Sequence, residues 1–194
     1  LFNSIPGKPL VYWLSLNALN SFFKRNLIKD ICPPKQGMAT TNNSLFVRNW
    51  QEISFNKISF TSRSEIDASL SQKKWFPYNK GGNYKKWYGN NEHVVNYENS
   101  GKTICDYIDN TEGAKVGSNG RVINREFYFK KGIVYSKFGF ENIGVRYKPD
   151  GFIFDVAGAS IFSKDWEIIL AYLCSNVAFY FLKALAPTVN FQVG

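Results

Sequence analysis

Leu16, Leu19, Phe22, Phe23 and Leu27 recur at spacings of three and four, with Asn20, Lys24 and Asn26 left for solvent, and predict an amphipathic helix over residues 17–27. A proline-flanked loop at Ile5-Pro6-Gly7-Lys8-Pro9 and an apolar run at 10–14 precede it, and Pro33-Pro34 ends the unit. Strand-like patterns follow at 46–50 and 53–60, where Ile53, Phe55, Ile58 and Phe60 alternate against Ser54, Asn56 and Ser59. Residues 63–71 are polar and compatible with a short helix. The aromatic run from Trp75 leads into Asn79-Lys80-Gly81-Gly82, where two glycines tolerate positive φ, so a hairpin is expected to turn there. Val94-Val95-Asn96-Tyr97 supplies a further strand, and residues 102–110 a helix with Ile104, Tyr107 and Ile108 on one side.

The glycine-rich stretch 113–120 reads as a mobile loop. Strands are predicted at 127–129 and 132–135, forming a hairpin about Lys130-Lys131, and again at 144–147 and 151–156, split by a Lys148-Pro149-Asp150 turn. Residues 166–186 are strongly apolar, but Ser175-Asn176 interrupts them and Lys183 lies within them. Two soluble helices, the second capped by Ser175 and ended by Pro187, fit better than a bilayer span. The expected class is α+β: a largely antiparallel twisted sheet with flanking helices, with residues 1–32 as a helical lead-in packed on a domain of residues 33–194.

Composition narrows the function. Aromatic residues at 17% within 44% hydrophobic content support a packed core rather than disorder. A formal charge of +9 favours a polyanionic partner. Cys32, Cys105 and Cys174 lack any C-x-x-C spacing, and His93 is the single histidine, so no metal site is expected and a reducing cytoplasm is the expected setting. The start at Leu1 and the end at Gly194 lead us to expect a piece of a longer protein.

Positive charge concentrates in residues 73–99. From Lys73 to Lys102 six lysines face two glutamates, interleaved with Trp75, Phe76, Tyr78, Tyr84, Trp87 and Tyr88. Lysines neutralise phosphates, while rings and amides stack on or hydrogen-bond to bases. A half-buried hairpin with a solvated lysine face fits the same pattern. The loop from Lys35 to Asn43 is rich in small residues and amides, and Gly37 would permit close approach to a phosphate or base edge; a plain surface loop is the alternative. Arg121, Asn124 and Arg125, at the exit of the glycine-rich stretch, are further candidates for phosphate or guanine contacts.

Catalytic patterns are missing. The sequence contains no G-x-S-x-G, no G-x-x-x-x-G-K and no H-E-x-x-H, and Asp106 and Asp109 read as an exposed acidic helix face. The residues describe a binding module. Single-stranded nucleic acid, or a protein or carbohydrate ligand, would use the same rings.

Several blocks nevertheless resemble one family. Ile5-Pro6-Gly7 with Tyr12-Trp13, Pro34-Lys35-Gln36-Gly37-Met38-Ala39-Thr40, Lys74-Trp75-Phe76-Pro77-Tyr78-Asn79-Lys80-Gly81-Gly82, Lys86-Trp87-Tyr88-Gly89-Asn90-Asn91, Gly151-Phe152-Ile153-Phe154-Asp155 and Pro187-Thr188-Val189-Asn190-Phe191-Gln192-Val193-Gly194 occur in the order found in the PglX adenine-specific DNA methyltransferases of BREX phage-defence systems. These are related to the methylases of type II restriction-modification. The matching blocks lie outside the family's catalytic domain. Thr41-Asn42-Asn43 stands where the family commonly has a glycine and an acidic residue, and Cys32-Pro33-Pro34-Lys35 lacks the asparagine and aromatic of the catalytic N-P-P-[YF].

The resemblance implies a target-recognition domain, similar in fold to those of restriction-modification enzymes, that reads duplex DNA for a catalytic domain elsewhere in the parent chain. S-adenosylmethionine would belong to that parent, with no cofactor in this piece and no membrane partner. On this basis Lys73, Lys74, Lys80, Lys85 and Lys86 are expected on phosphates and Gln36, Asn42, Asn43, Asn79 and Asn83 at base edges. Thr40 and Thr41 belong to the same contact loop, Tyr78 or Tyr84 would pack on the backbone, and Trp75 and Trp87 are expected in the core.

Overall fold

The computed structural model describes residue 5 and residues 8–22, 28–111, 116–137 and 143–186. Two sheets carry the fold. The first contains β1 (Val47–Asn49), β2 (Trp75–Asn79), β3 (His93–Asn96) and β6 (Ile153–Phe154) in the order β1-β3-β2-β6. The second contains β4 (Gly132–Tyr135), β5 (Val145–Lys148) and β7 (Ser160–Ile161) in the order β5-β4-β7. Every pairing is antiparallel except β2 with β6. The helices are α1 (Leu16–Ser21), α2 (Ile28–Ile31), α3 (Asn43–Phe46), α4 (Glu65–Leu70), α5 (Glu98–Asn110), α6 (Trp166–Leu173) and α7 (Asn176–Leu185). The α+β expectation holds.

Strand β2 is buried along its whole length, because successive side chains point to opposite faces and both faces are covered. Phe76 and Tyr78 enter the main core with Val95, Phe129, Phe154 and the α5 residues Ile104 and Ile108. Trp75 joins Ile58 and Val94 in a smaller cluster. The second sheet packs Ile133, Val145 and Ile161 with Leu170 and Cys174 at α6. Val11, Leu14 and Leu19 of the lead-in meet Ala184 and Phe181 of α7.

Residues 35–38 join the two sheets. Lys35 and Ser160 exchange backbone hydrogen bonds of 2.8 and 2.9 Å at the β7 edge, and three residues later Met38 N–H donates to Phe154 O (2.8 Å) at the β6 edge. Gly37 lies between them so tightly that a β-carbon there would stand 1.8 Å from the Phe154 carbonyl oxygen. Its glycine therefore serves close packing inside the protein.

Several expected elements differ. β2 and β3 do pair antiparallel, but residues 80–92 connect them in place of a tight turn at Gly81-Gly82. The strand expected at 53–60 is a run of 3-10 turns, which brings Ile53 and Ile58, five positions apart, onto the same Trp75 cluster. Residues 125–127 form a 3-10 turn and Phe129 takes φ +65°, so no hairpin forms about Lys130-Lys131; β4 pairs with β5 instead. β5 and β6, expected as neighbours across a turn, belong to different sheets.

The break at Ser175 is as expected. Its hydroxyl oxygen accepts from Ala178 N–H at 3.1 Å and caps α7, and α6 and α7 diverge by 73°. Among the described residues no single helix is long and apolar enough to cross a membrane. Residues 23–27 of the expected first helix, 112–115 of the glycine-rich loop and the closing block 187–194 lie outside the described residues.

Candidate nucleic-acid interface

The connection 80–92 leaves the first sheet and docks on the second. Trp87 N–H donates to Val145 O at 3.0 Å and Tyr147 N–H donates to Trp87 O at 2.8 Å, so the loop adds one bridge to the free edge of β5. Asn90 closes the loop from within, its buried amide donating to Gly81 O (3.0 Å) and Asn83 O (2.9 Å). Below it the buried guanidinium of Arg146 donates to Ser136 Oγ (3.0 Å), Gly144 O (3.2 Å) and Gly81 O (3.4 Å). Burial pulls the Arg146 pKa down to about 10. The loop is thus held by hydrogen bonds at both flanks and in the middle.

On its outer side lie Asn83, Tyr84, Lys85, Trp87 and Tyr88, all exposed. Tyr84, Trp87 and Tyr88 are 51%, 53% and 62% accessible as residues. Trp87, expected in the core, is therefore a surface residue. A tryptophan flanked by lysine, glycine and asparagines, with no alternating apolar partner, carries the mark of a turn, and that signal in Lys86-Trp87-Tyr88-Gly89-Asn90-Asn91 could have placed it outside. Trp75 is buried as expected.

The other predicted contact residues divide. Lys80 is half-buried beside the loop, and Lys86 donates to Cys174 O at 2.9 Å. Lys73 and Lys74 precede β2 while Lys80 follows it, which separates them by the roughly 16 Å length of a five-residue strand. Lysines expected on one small surface are therefore divided between two ends of a strand. Lys73 donates to Asn56 O, and Lys74 is exposed.

Tyr78 and Asn79 are buried, which takes both off the surface. Tyr78 Oη lies 2.6 Å from Asp155 Oδ2 and 2.8 Å from Met38 O, and burial followed by the Asp155 charge raises its pKa well above the usual tyrosine range. Asn79 donates to Asn91 Oδ1 at 2.8 Å. Thr40 is buried as well, its hydroxyl donating to Asn43 Oδ1 at 2.7 Å.

In the 36–43 loop, Asn42 caps α3. Its Oδ1 accepts from Leu45 N–H (3.2 Å) and Ser44 Oγ (2.7 Å), while its Nδ2 donates to Tyr107 Oη (3.0 Å). Thr41 and Asn43 are exposed. This loop and the 121–125 segment are neighbours: Ala39 N–H donates to Arg121 O (2.8 Å), and Asn124 Nδ2 to Gln36 O (2.8 Å). Arg121 is exposed, but Arg125 is drawn inward, donating to Tyr97 Oη (2.9 Å), Ser100 O (2.7 Å) and Cys105 Sγ (3.3 Å) with Glu65 3.7 Å away. Tyr97 in turn donates to Glu65, and its pKa is raised by burial and then by that carboxylate. His93 is half-buried on β3, and burial lowers its pKa.

Chemically, the exposed set offers cation, aromatic face and amide without a nucleophile and base in contact. Asp106 pairs with Lys102 at 3.3 Å, and Asp109 accepts from Ser118 N–H and Oγ, each at 2.7 Å, which holds its carboxyl below the usual range.

No family model matches the chain. Two curated proteins align with all of it. Identity is 39% with the adenine-specific methyltransferase PglX of Lacticaseibacillus casei (strain Zhang) and 32% with the adenine-specific methyltransferase BrxX of Escherichia coli O9:H4 (strain HS). The chain spans 16% of the first and 15% of the second.

Proposed function

The chain belongs over its whole length to the family of PglX and BrxX adenine-specific methyltransferases, and from that premise we propose that it is a segment with which such an enzyme recognises duplex DNA. The observation that carries the proposal is the anchored loop 80–92, which exposes Lys85 among Tyr84, Trp87 and Tyr88 while its backbone is fixed to β5. Lys80, Lys85 and Arg121 supply positive charge for phosphates, and Asn83, Asn43 and Thr41 supply exposed polar groups for base or sugar edges. Sequence selection is the role assigned to this segment. Methyl transfer and S-adenosylmethionine are assigned to the remainder of such an enzyme, acting in the cytoplasm on a phage-defence or restriction-modification target.

That remainder is also a partner. Tyr12, Trp13 and Leu16 of the lead-in and Val177 and Tyr180 of α7 are exposed, and Ser15 N–H donates to Tyr180 Oη at 3.4 Å where the two elements meet. In a protein six times longer, this apolar surface fits an interface with the catalytic part of the same chain.

Titrating labelled duplex, single-stranded DNA and neutral glycans at several salt concentrations tests the proposal. Duplex binding should weaken with salt at a log-log slope of about −0.9 for each phosphate neutralised. A stronger, salt-tolerant affinity for single strands, or glycan binding without DNA binding, would replace it with one of the other two classes.

A further inference from the structure

Trp87 is held in a backbone conformation that its side chain disfavours. Its φ is +70°, and Tyr88 N–H donates to Lys86 O at 2.8 Å, closing the strained three-residue form of turn around it. The bonds to Val145 O and from Tyr147 N–H pin the residue's backbone on both its amide and its carbonyl. Strain of this kind persists where surrounding structure over-determines it.

One other aromatic residue among those described shares a positive φ, and the contrast is informative. Phe129, at φ +65°, is 1% exposed, with ring centroids 5.9 Å from Phe76 and 6.2 Å from Tyr97. Burial in the main core offsets its strain. Trp87 has no such burial, because the residue is 53% accessible. A folded chain gains little from fixing its largest apolar side chain outward at an unfavourable φ.

We propose that Trp87 is a wedge that stacks on a base at an opened step of the duplex, with Lys85 on a flanking phosphate. This rests on the DNA-recognition proposal above and adds a residue to it. An exposed indole carried on a pinned backbone has less freedom to lose on binding, and its face accepts any base. The unstacking cost falls on the DNA, so a step that is already weakened should be favoured.

The test uses the full chain with two short mixed-sequence duplexes, one fully paired and one carrying a central mismatch, together with Trp87→Gly, Trp87→Phe and Lys85→Ala. The unmodified chain should prefer the mismatched duplex, and Trp87→Gly should lose that preference by about tenfold with its salt slope unchanged. Trp87→Phe should keep most of it. Lys85→Ala should instead reduce the salt slope by about 1 on both duplexes. Because glycine accepts the φ freely, Trp87→Gly should melt at or above the unmodified temperature. If Trp87→Gly melts well below it, or binds both duplexes as the unmodified chain does while Lys85→Ala weakens them, the wedge is wrong and DNA recognition stands. If the unmodified chain binds neither duplex, DNA recognition fails and the wedge with it.

Discussion

The ammonium of Lys86 donates to the carbonyl oxygen of Cys174, 2.9 Å away, and so ties the loop 80–92 to the C-terminal end of α6. A cation there meets an unsatisfied helix carbonyl and the negative end of the helix dipole. Lys86→Ala should therefore cost about 1 kcal/mol of stability, seen as a lower melting temperature. The salt slope of DNA binding should barely change. A loss of slope without a loss of stability would return Lys86 to the phosphate contacts.

Lys74 and Lys85 separate the two ends of β2 experimentally. With recognition centred on the loop, Lys85→Ala weakens binding to all duplexes and lowers the salt slope by about 1. Lys74→Ala, at the opposite end of the strand, leaves both unchanged. Salt titration of each variant against the same duplex reads the difference. Equal effects would extend the surface along the whole strand.

Much of the core was legible because it is local. Trp75 was readable as a buried strand residue and Ser175 as the break between α6 and α7, whereas Tyr78, expected against DNA, is buried in the same strand. Asn42 was expected at a base edge because it is an amide in a small-residue loop, but its side chain meets Leu45 N–H three residues on and caps α3. The loop 80–92 was not legible. Gly81-Gly82 has the local chemistry of a tight turn, but the path is decided by Trp87 pairing with Val145 and Tyr147, and such distant partners leave no trace in the loop's own pattern. Arg146 and Lys148 are buried for the same kind of reason: carbonyl oxygens of Gly81 and Gly144 receive one, and those of Lys130 and Phe152 the other.

Gly37 tests the junction between the sheets. A methyl group there would overlap the Phe154 carbonyl, and backbone cannot rotate away as a flexible side chain can. Gly37→Ala should break the Met38 pairing with β6 and cost about 3 kcal/mol. Chemical denaturation gives the magnitude, and hydrogen exchange at Met38 and Val156 should rise. A variant as stable as the parent would show that residues 35–38 are not the seam between the sheets.

Lys148 makes stability depend on pH. Its ammonium is buried over the rings of Phe154 (5.8 Å) and Phe162 (5.3 Å), and burial lowers its pKa from 10.5 to about 7, against a smaller opposing effect of Asp150. The unfolded chain keeps this proton up to the ordinary lysine range, whereas the folded chain releases it near 7. Between those values unfolding takes up a proton, so stability rises with pH, and below 7 the penalty is complete and constant. Raised thiol pKa values at Cys32 and Cys174, and raised hydroxyls at Tyr97 and Tyr128, act in the opposite direction from about pH 9 upward. The usable window is therefore 7 to 9, where stability should increase by about 2 kcal/mol. Lys148→Met keeps the chain length and removes the titrating amine, so its melting temperature should be flatter across that window and higher than the parent's at pH 7. An equal slope in the variant would assign the effect to another group.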